Sequence, residues 1–190
     1  MNALDNAEKT RDTYLGFQCY ELSQIGFETY EVDLRSYFGR PLELRDVLKT
    51  MDAVWVNGGN AFILRRAMQE SGFDNAITNM LMKDRIAYGG FSAGVVILHN
   101  SLRGLEAIDD PHVVPGGYPK ATIWQGLSLL PFSIVVHYRS DHPESDAVEE
   151  ELRYYEQHGI PYKTIRDGEA LVIDGEVNEI RLVGMPNTPD

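Results

Sequence analysis

The chain has almost no cysteine. With Cys19 alone among 190 residues, an intrachain disulfide and a cysteine-built zinc site are both excluded, and a reducing compartment is expected. Cys19 sits in "YLGFQCYEL", which reads as the apolar face of a helix, so a buried structural thiol is expected. Long apolar runs are absent too. No stretch approaches the roughly 20 residues of a membrane span, and the opening "MNALDNAEKTRD" has no basic segment followed by an apolar one, so the expectation is a cytoplasmic protein with no membrane partner. Positive charge is scarce: 17 Lys and Arg stand against 29 Asp and Glu, and the resulting charge of -12 opposes approach to phosphate backbones. Nucleic acid is therefore excluded as an expected partner.

What is present suits one globular domain spanning 1–190, with a 43% hydrophobic share. Residues 6–25 read as an amphipathic helix, 27–34 alternate like a strand, and 41–50 form a short helix. "DAVWVNGGN" (52–60) reads as a buried strand running into a glycine turn, and helices follow over 61–72 and 73–84. "RIAYGG" (85–90) is a second apolar strand, and "AGVVILHN" starts another helix. Residues 101–131 hold clustered Pro, Gly and Asp with little periodicity and read as a long loop, a place where function often collects. "FSIVVHY" (132–138) is a strand, 143–159 a helix with Ser145 or Asp146 near its cap and Gly159 as its stop, and three short strands finish the chain. The last two strands are joined by an expected Asp174-Gly175 hairpin turn. Strands alternating with helices imply a doubly wound, mostly parallel α/β sheet with helices on both faces and function at the carboxyl ends of its strands.

Gly90-Phe91-Ser92-Ala93-Gly94 matches the G-x-S-x-G elbow, in which small residues let a strand reverse into a helix and leave a serine hydroxyl exposed. The pattern alone is weak, but the strand before it and the helix after it supply the required context. A serine needs a base, usually a histidine oriented by a carboxylate. Among five histidines, His99 lies inside a helix, His112 in the long loop, and His142 and His158 at the edges of a helix; only His137 ends a strand on the same rim as Ser92. If the order is serine, acid, histidine, the acid is one of Glu106, Asp109 and Asp110, with Glu106 preferred because Asp109-Asp110-Pro111 looks like turn initiation. The turn Gly58-Gly59-Asn60 lacks the third glycine of a dinucleotide fingerprint and the lysine of a P-loop, and its backbone amides suit an anionic oxygen. No cofactor motif is visible. The histidines are scattered, so no metal cluster is expected.

"VWVNGGNAFILRRAMQESG", "YGGFSAGVVIL" and "SIVVHY", in that order and spacing, resemble the peptidase E family of serine peptidases, built on a scaffold like that of type 1 glutamine amidotransferases and related to cyanophycinase. The resemblance covers roughly residues 1–175. It implies Ser92 as nucleophile, His137 as base, an acid near Glu106, an oxyanion hole from Gly59 and Ala93 beside Gly58 and Asn60, and a small peptide as substrate. An amidotransferase would need cysteine at the elbow. The family's aspartate preference is tied to an arginine after the histidine strand, where this chain has the acidic "HPESDAVEEEL" and nearby Arg139 and Arg153, so strict aspartyl specificity is not expected. Relatives begin with two strands and a helix ahead of the point where this sequence starts, and the expected compensation is a homodimer or a longer parent chain. A catalytically silent pocket that binds a small molecule or peptide is the alternative to a hydrolase.

Overall fold

Two strand-helix-strand units carry the fold. In the computed structural model, which describes residues 8–174 and 180–184, β1 (Ala53–Val56) pairs in parallel with β2 (Ala87–Gly90), and β3 (Ser133–Val135) pairs in parallel with β4 (Tyr162–Thr164). Parallel neighbours need a crossover. The first is made by α3 (Ala61–Ser71) and α4 (Phe73–Leu81), the second by α6 (Ser145–His158). Among the described residues the strands form three hydrogen-bonded pairs, the third being antiparallel β5 (Glu169–Ile173) with β6 (Ile180–Gly184). The chain is an α/β protein. The hairpin turn expected at Asp174-Gly175 lies partly outside the described residues, although the antiparallel pairing it would serve is present.

The helix boundaries follow local chemistry. α2 (Pro41–Leu48) starts on proline, whose missing N–H costs nothing there. In α3, the Asn60 side chain accepts from the amides of Phe62 and Ile63, and Gly72 closes the helix with a left-handed φ of 75°. α6 ends on Gly159 in the same conformation, as its sequence predicts, but its N-cap is Glu144 and no side chain caps it. α1 (Glu8–Gln24) leaves Cys19 half-buried rather than enclosed. No helix among the described residues is long and apolar enough to cross a membrane.

Two expectations change. Residues 27–33 form no strand, and a 3-10 turn takes Leu34–Tyr37, with the Asp33 carboxylate accepting from the Arg35 amide. Alternation alone makes no strand without a neighbouring ladder, and Phe27 and Tyr30 remain exposed. The helix after the elbow is also short: α5 spans only Ala93–Val96. The carbonyls of Ile97, Leu98 and His99 are taken instead by the amides of Leu127, Leu129 and Ser128. Gly126 permits that return, because a Cβ there would lie 2.0 Å from the His99 carbonyl oxygen.

The core is built on α3, α5 and β3, with Leu64, Met68, Ile97 and Leu102 among its fully buried members. Two buried arginines of α3 hold the long 101–131 loop. Arg66, with no exposure, donates to the carbonyls of Pro111, Val113 and Ala121 and to Thr122 Oγ1. Arg65 donates to the Gln125 carbonyl and pairs with Asp74 at 3.0 Å. Burial pushes the Arg66 guanidinium below its ordinary value, yet four neutral acceptors satisfy it. These side chains hold the loop together with backbone bonds such as Leu102 amide to Trp124 carbonyl and Gly126 amide to Asn100 carbonyl.

A second close backbone approach lies between β1 and the elbow. A Cβ on Gly94 would meet the Val56 carbonyl oxygen at 2.2 Å and its carbon at 2.9 Å, both backbone atoms with little freedom to yield. Gly94→Ala is therefore expected to lose about 1–3 kcal/mol. Gly116→Ala, where a Cβ meets nothing within 4 Å, should change stability little; thermal unfolding of both variants checks this.

Candidate active site

The elbow at Ser92 is held in a conformation that a serine does not choose. Its φ of 49° and ψ of -125° place it outside the ordinary regions for a side-chain-bearing residue. Four hydrogen bonds hold it there. The Phe91 amide donates to the Val56 carbonyl at 3.2 Å, the amides of Val95 and Val96 donate to the Ser92 carbonyl, and the Tyr88 hydroxyl donates to the Gly94 carbonyl at 2.5 Å. Burial pushes the Tyr88 hydroxyl far up, so it remains a donor.

The glycine turn lies directly against the serine. A Cβ on Gly58 would sit 3.0 Å from the Ser92 Cβ and 2.9 Å from the Phe91 ring. Gly59 has a φ of 125°, which a bulkier residue resists. Among the described residues, the amide N–H groups of Gly59 and Ala93 have no hydrogen-bond acceptor. Asn60 is committed to the fold: its Oδ1 caps α3 and its Nδ2 donates to the Asp110 carbonyl at 3.1 Å.

His137 lies two residues past the end of β3, which stops short of the 132–138 expected, and has a φ of 57°; Arg139 follows at 49°. Its Nδ1 lies 2.7 Å from Asp167 Oδ1. The loop between β3 and α6 is tied down around it. Ser145 Oγ donates to the carbonyls of His137 and Ser140, at 3.1 and 2.7 Å, and Ser140 Oγ accepts the Asp167 amide at 2.8 Å. Among the described residues no hydrogen bond joins the Ser92 hydroxyl to His137.

The acid expected from the sequence is elsewhere. Glu106 accepts from the Gly104 amide at 2.5 Å and from Arg103 at 3.3 Å, closing its own turn. Asp110 accepts the His112 amide at 2.8 Å, the turn role its sequence suggests. Asp109 Oδ2 accepts the Ala61 amide at 2.8 Å, which docks the long loop on the start of α3. The carboxylate on His137 is Asp167, which follows the histidine in the chain and so lies outside the stretch between Ser92 and His137. A rim argument would have found it, since β4 runs beside β3 and the Tyr138 amide donates to the Ile165 carbonyl.

The other histidines divide. His99 is buried, with Nδ1 3.0 Å from Ser133 Oγ, and burial lowers its pKa so that it stays neutral. His158 bonds the Tyr154 carbonyl on its own helix, and His112 is exposed. His142 is not a mere capping residue: its ring stacks on His137 with centroids 3.7 Å apart.

Behind the site lies a carboxyl the sequence did not single out. Glu151, with no exposure on the buried face of α6, has neither side-chain oxygen hydrogen-bonded among the described residues. Burial pushes it up to about 8, and the Asp109 carboxylate pushes the same way. Asp109 itself is raised to about 6, by burial first and against the hydrogen bond from Ala61.

These features, a strained serine at a strand-helix turn opposite a glycine turn with free amides, have the layout of a G-x-S-x-G elbow. The family model "Peptidase family S51" matches residues 6–181, and the chain belongs to that family. It is 33% identical over 134 residues to "Peptidase E" of Streptomyces coelicolor, covering 68% of this chain and 51% of that protein. It is 28% identical, over 68% of this chain and 52% of the other, to a Drosophila melanogaster protein named "Probable alpha-aspartyl dipeptidase". The chain thus spans about half the length of these curated relatives. A crystal structure of a candidate peptidase E protein from Listeria monocytogenes EGD-e shares the fold, with a TM-score of 0.71 and 23% identity over 87% of this chain and 74% of that one.

A carboxyl whose pKa is higher folded than unfolded stabilises the fold only while protonated. For Glu151, raised from 4.5 to about 8, that contribution is full below about 4.5 and is lost as pH rises through about 8. Glu151→Gln, which cannot ionise, should therefore gain thermal stability relative to the parent chain by roughly 5 °C or more between pH 5 and pH 8.5. Melting temperatures of both chains at the two pH values check it; a constant difference would contradict the assignment.

Proposed function

We propose that the chain carries the site of a serine peptidase acting on dipeptides or other small peptides. The observation that carries this reading is the 2.7 Å hydrogen bond between His137 Nδ1 and Asp167 on the strand rim, beside an elbow serine at a φ of 49°. The carboxylate holds the proton on Nδ1 and leaves Nε2 as the base. Ser92 Oγ attacks the scissile carbonyl carbon while His137 takes its proton. The amides of Gly59 and Ala93 receive the negative oxygen as it forms. His137 then returns the proton to the leaving amine, and water repeats the sequence to free the acyl group from Ser92.

The family and the peptidase names of its relatives support the reaction class. The two parallel strand pairs also fit a doubly wound scaffold of the type 1 glutamine amidotransferase kind. Substrate preference at the first residue turns on the loop between β3 and α6, where Arg139 packs over the Tyr138 ring at 4.9 Å and acidic residues follow. The second reading, a silent pocket that binds a small molecule or peptide, is favoured by the missing hydrogen bond between Ser92 and His137. Catalytic hydrogen bonds often tighten only with substrate bound, which keeps the first reading ahead.

A panel of dipeptides and amino-acyl anilides varied at the first residue tests the proposal. Turnover should vanish in Ser92→Ala, whereas folded parent chain that turns over no member supports the silent pocket. The same assay separates the candidate acids: Asp167→Asn should lower kcat roughly a hundredfold or more, and Glu106→Gln should leave it close to the parent. The opposite pattern would restore Glu106.

A further inference from the structure

The loop that carries the histidine base gathers a second chemistry. His137, His142 and Glu144 each offer one donor atom, and these atoms all lie within 4.8 Å of one another. All three residues are half-buried, so an ion there would be partly shielded yet reachable from solvent. The sequence gives no hint of this, because its histidines are dispersed and the spacing between His137 and His142 matches no helical ligand pair. Only the turn between β3 and α6, closed by Ser145 on the carbonyls of His137 and Ser140, folds them together.

We propose that His137, His142 and Glu144 form a binding site for zinc or a similar borderline divalent ion, and that its occupancy withdraws His137 from catalysis. Two imidazoles and one carboxylate are the donor set such ions prefer, and hard cations such as magnesium favour oxygen alone. The surroundings of His137 strengthen the case. Asp167 accepts from its Nδ1 at 2.7 Å, which is the arrangement that orients a zinc-ligating histidine and leaves Nε2 as the ligand atom. On the other side, His142 Nδ1 lies 3.9 Å from Glu144 Oε2 and now receives only the long 3.3 Å hydrogen bond of the Glu144 amide, which an ion would displace. The two rings stack 5° from parallel with centroids 3.7 Å apart. Binding at about 2.0–2.1 Å therefore draws His142 out of the stack, a motion within one loop. One side-chain nitrogen then serves as base when free and as ligand when occupied.

Inhibition rests on the peptidase reading; the metal site does not. The test is zinc binding to the full chain in competition with a chromophoric chelator, read without substrate. One ion per chain is expected, with affinity lowered roughly tenfold or more in His142→Ala and Glu144→Gln, and unchanged in Ser92→Ala and in His112→Ala. Circular dichroism of each variant guards against misfolding. Where peptide turnover is present, zinc should suppress it in the parent chain, a chelator should restore it, and His142→Ala should resist. Absence of zinc binding by the folded parent, or equal binding by His142→Ala, overturns the site. Zinc binding without any peptide turnover would uphold the site and count against the peptidase reading alone.

Discussion

The carbonyl oxygen of Val56 is the point on which the active-site geometry depends. It ends β1, accepts the Phe91 amide, and is the nearest atom to the α-carbons of both Gly90 and Gly94 in the sense that a methyl group on either would collide with it. The elbow can therefore close over β1 only if both glycines lack side chains. That closure forces Ser92 into a left-handed conformation, whose cost of order 1–3 kcal/mol is met by the surrounding hydrogen bonds and by burial of Ala93 and Val96 beneath. The same contact brings Gly58 against Ser92 and so sets the amide-bearing turn beside the hydroxyl.

The second half of the site hangs on a different strand pair. His137 and Asp167 top β3 and β4, and their hydrogen bond depends on the parallel register in which Val135 faces Thr164. Between the halves lie α5 and the core around Ile97, with His99 reaching across to Ser133 of β3. Apolar packing and one buried neutral histidine thus couple the strand pair that carries Ser92 to the pair that carries His137, so core substitutions near Ile97 bear on both.

Local chemistry made much of this legible. The elbow needs two glycines and a serine at fixed spacing, the α3 start needs Asn60, and the helix stops need Gly72 and Gly159; each is a backbone demand that residue type reveals. His137 was legible because it closes an apolar run. Asp167 was not, since no spacing links it to His137 and only the register of two short strands joins them. The tie between Asp109 and Ala61 was hidden for the same reason, because the partner lies far away in the chain, whereas Glu106 bonds the Gly104 amide within its own turn. The 27–34 segment failed differently, through an alternation that found no ladder.

The buried carboxyl Glu151 shows why long-range burial is the hardest property to read. Its neighbours in sequence, "AVEEELRYY", make it one acid in a run of three, and helical spacing with Val148, Leu152 and Tyr155 places it on the packed face. A charge there, close to Asp109, would cost more than any hydrogen bond returns, so the proton is retained. Asp109 in turn docks the long loop on α3 through Ala61. Asp109 alone ties loop to α3, while Glu151 on α6 is linked to it only through the repulsion of their charges. As pH rises through about 8 the Glu151 proton is lost, and the charge then loads the face of α6 that packs in the core.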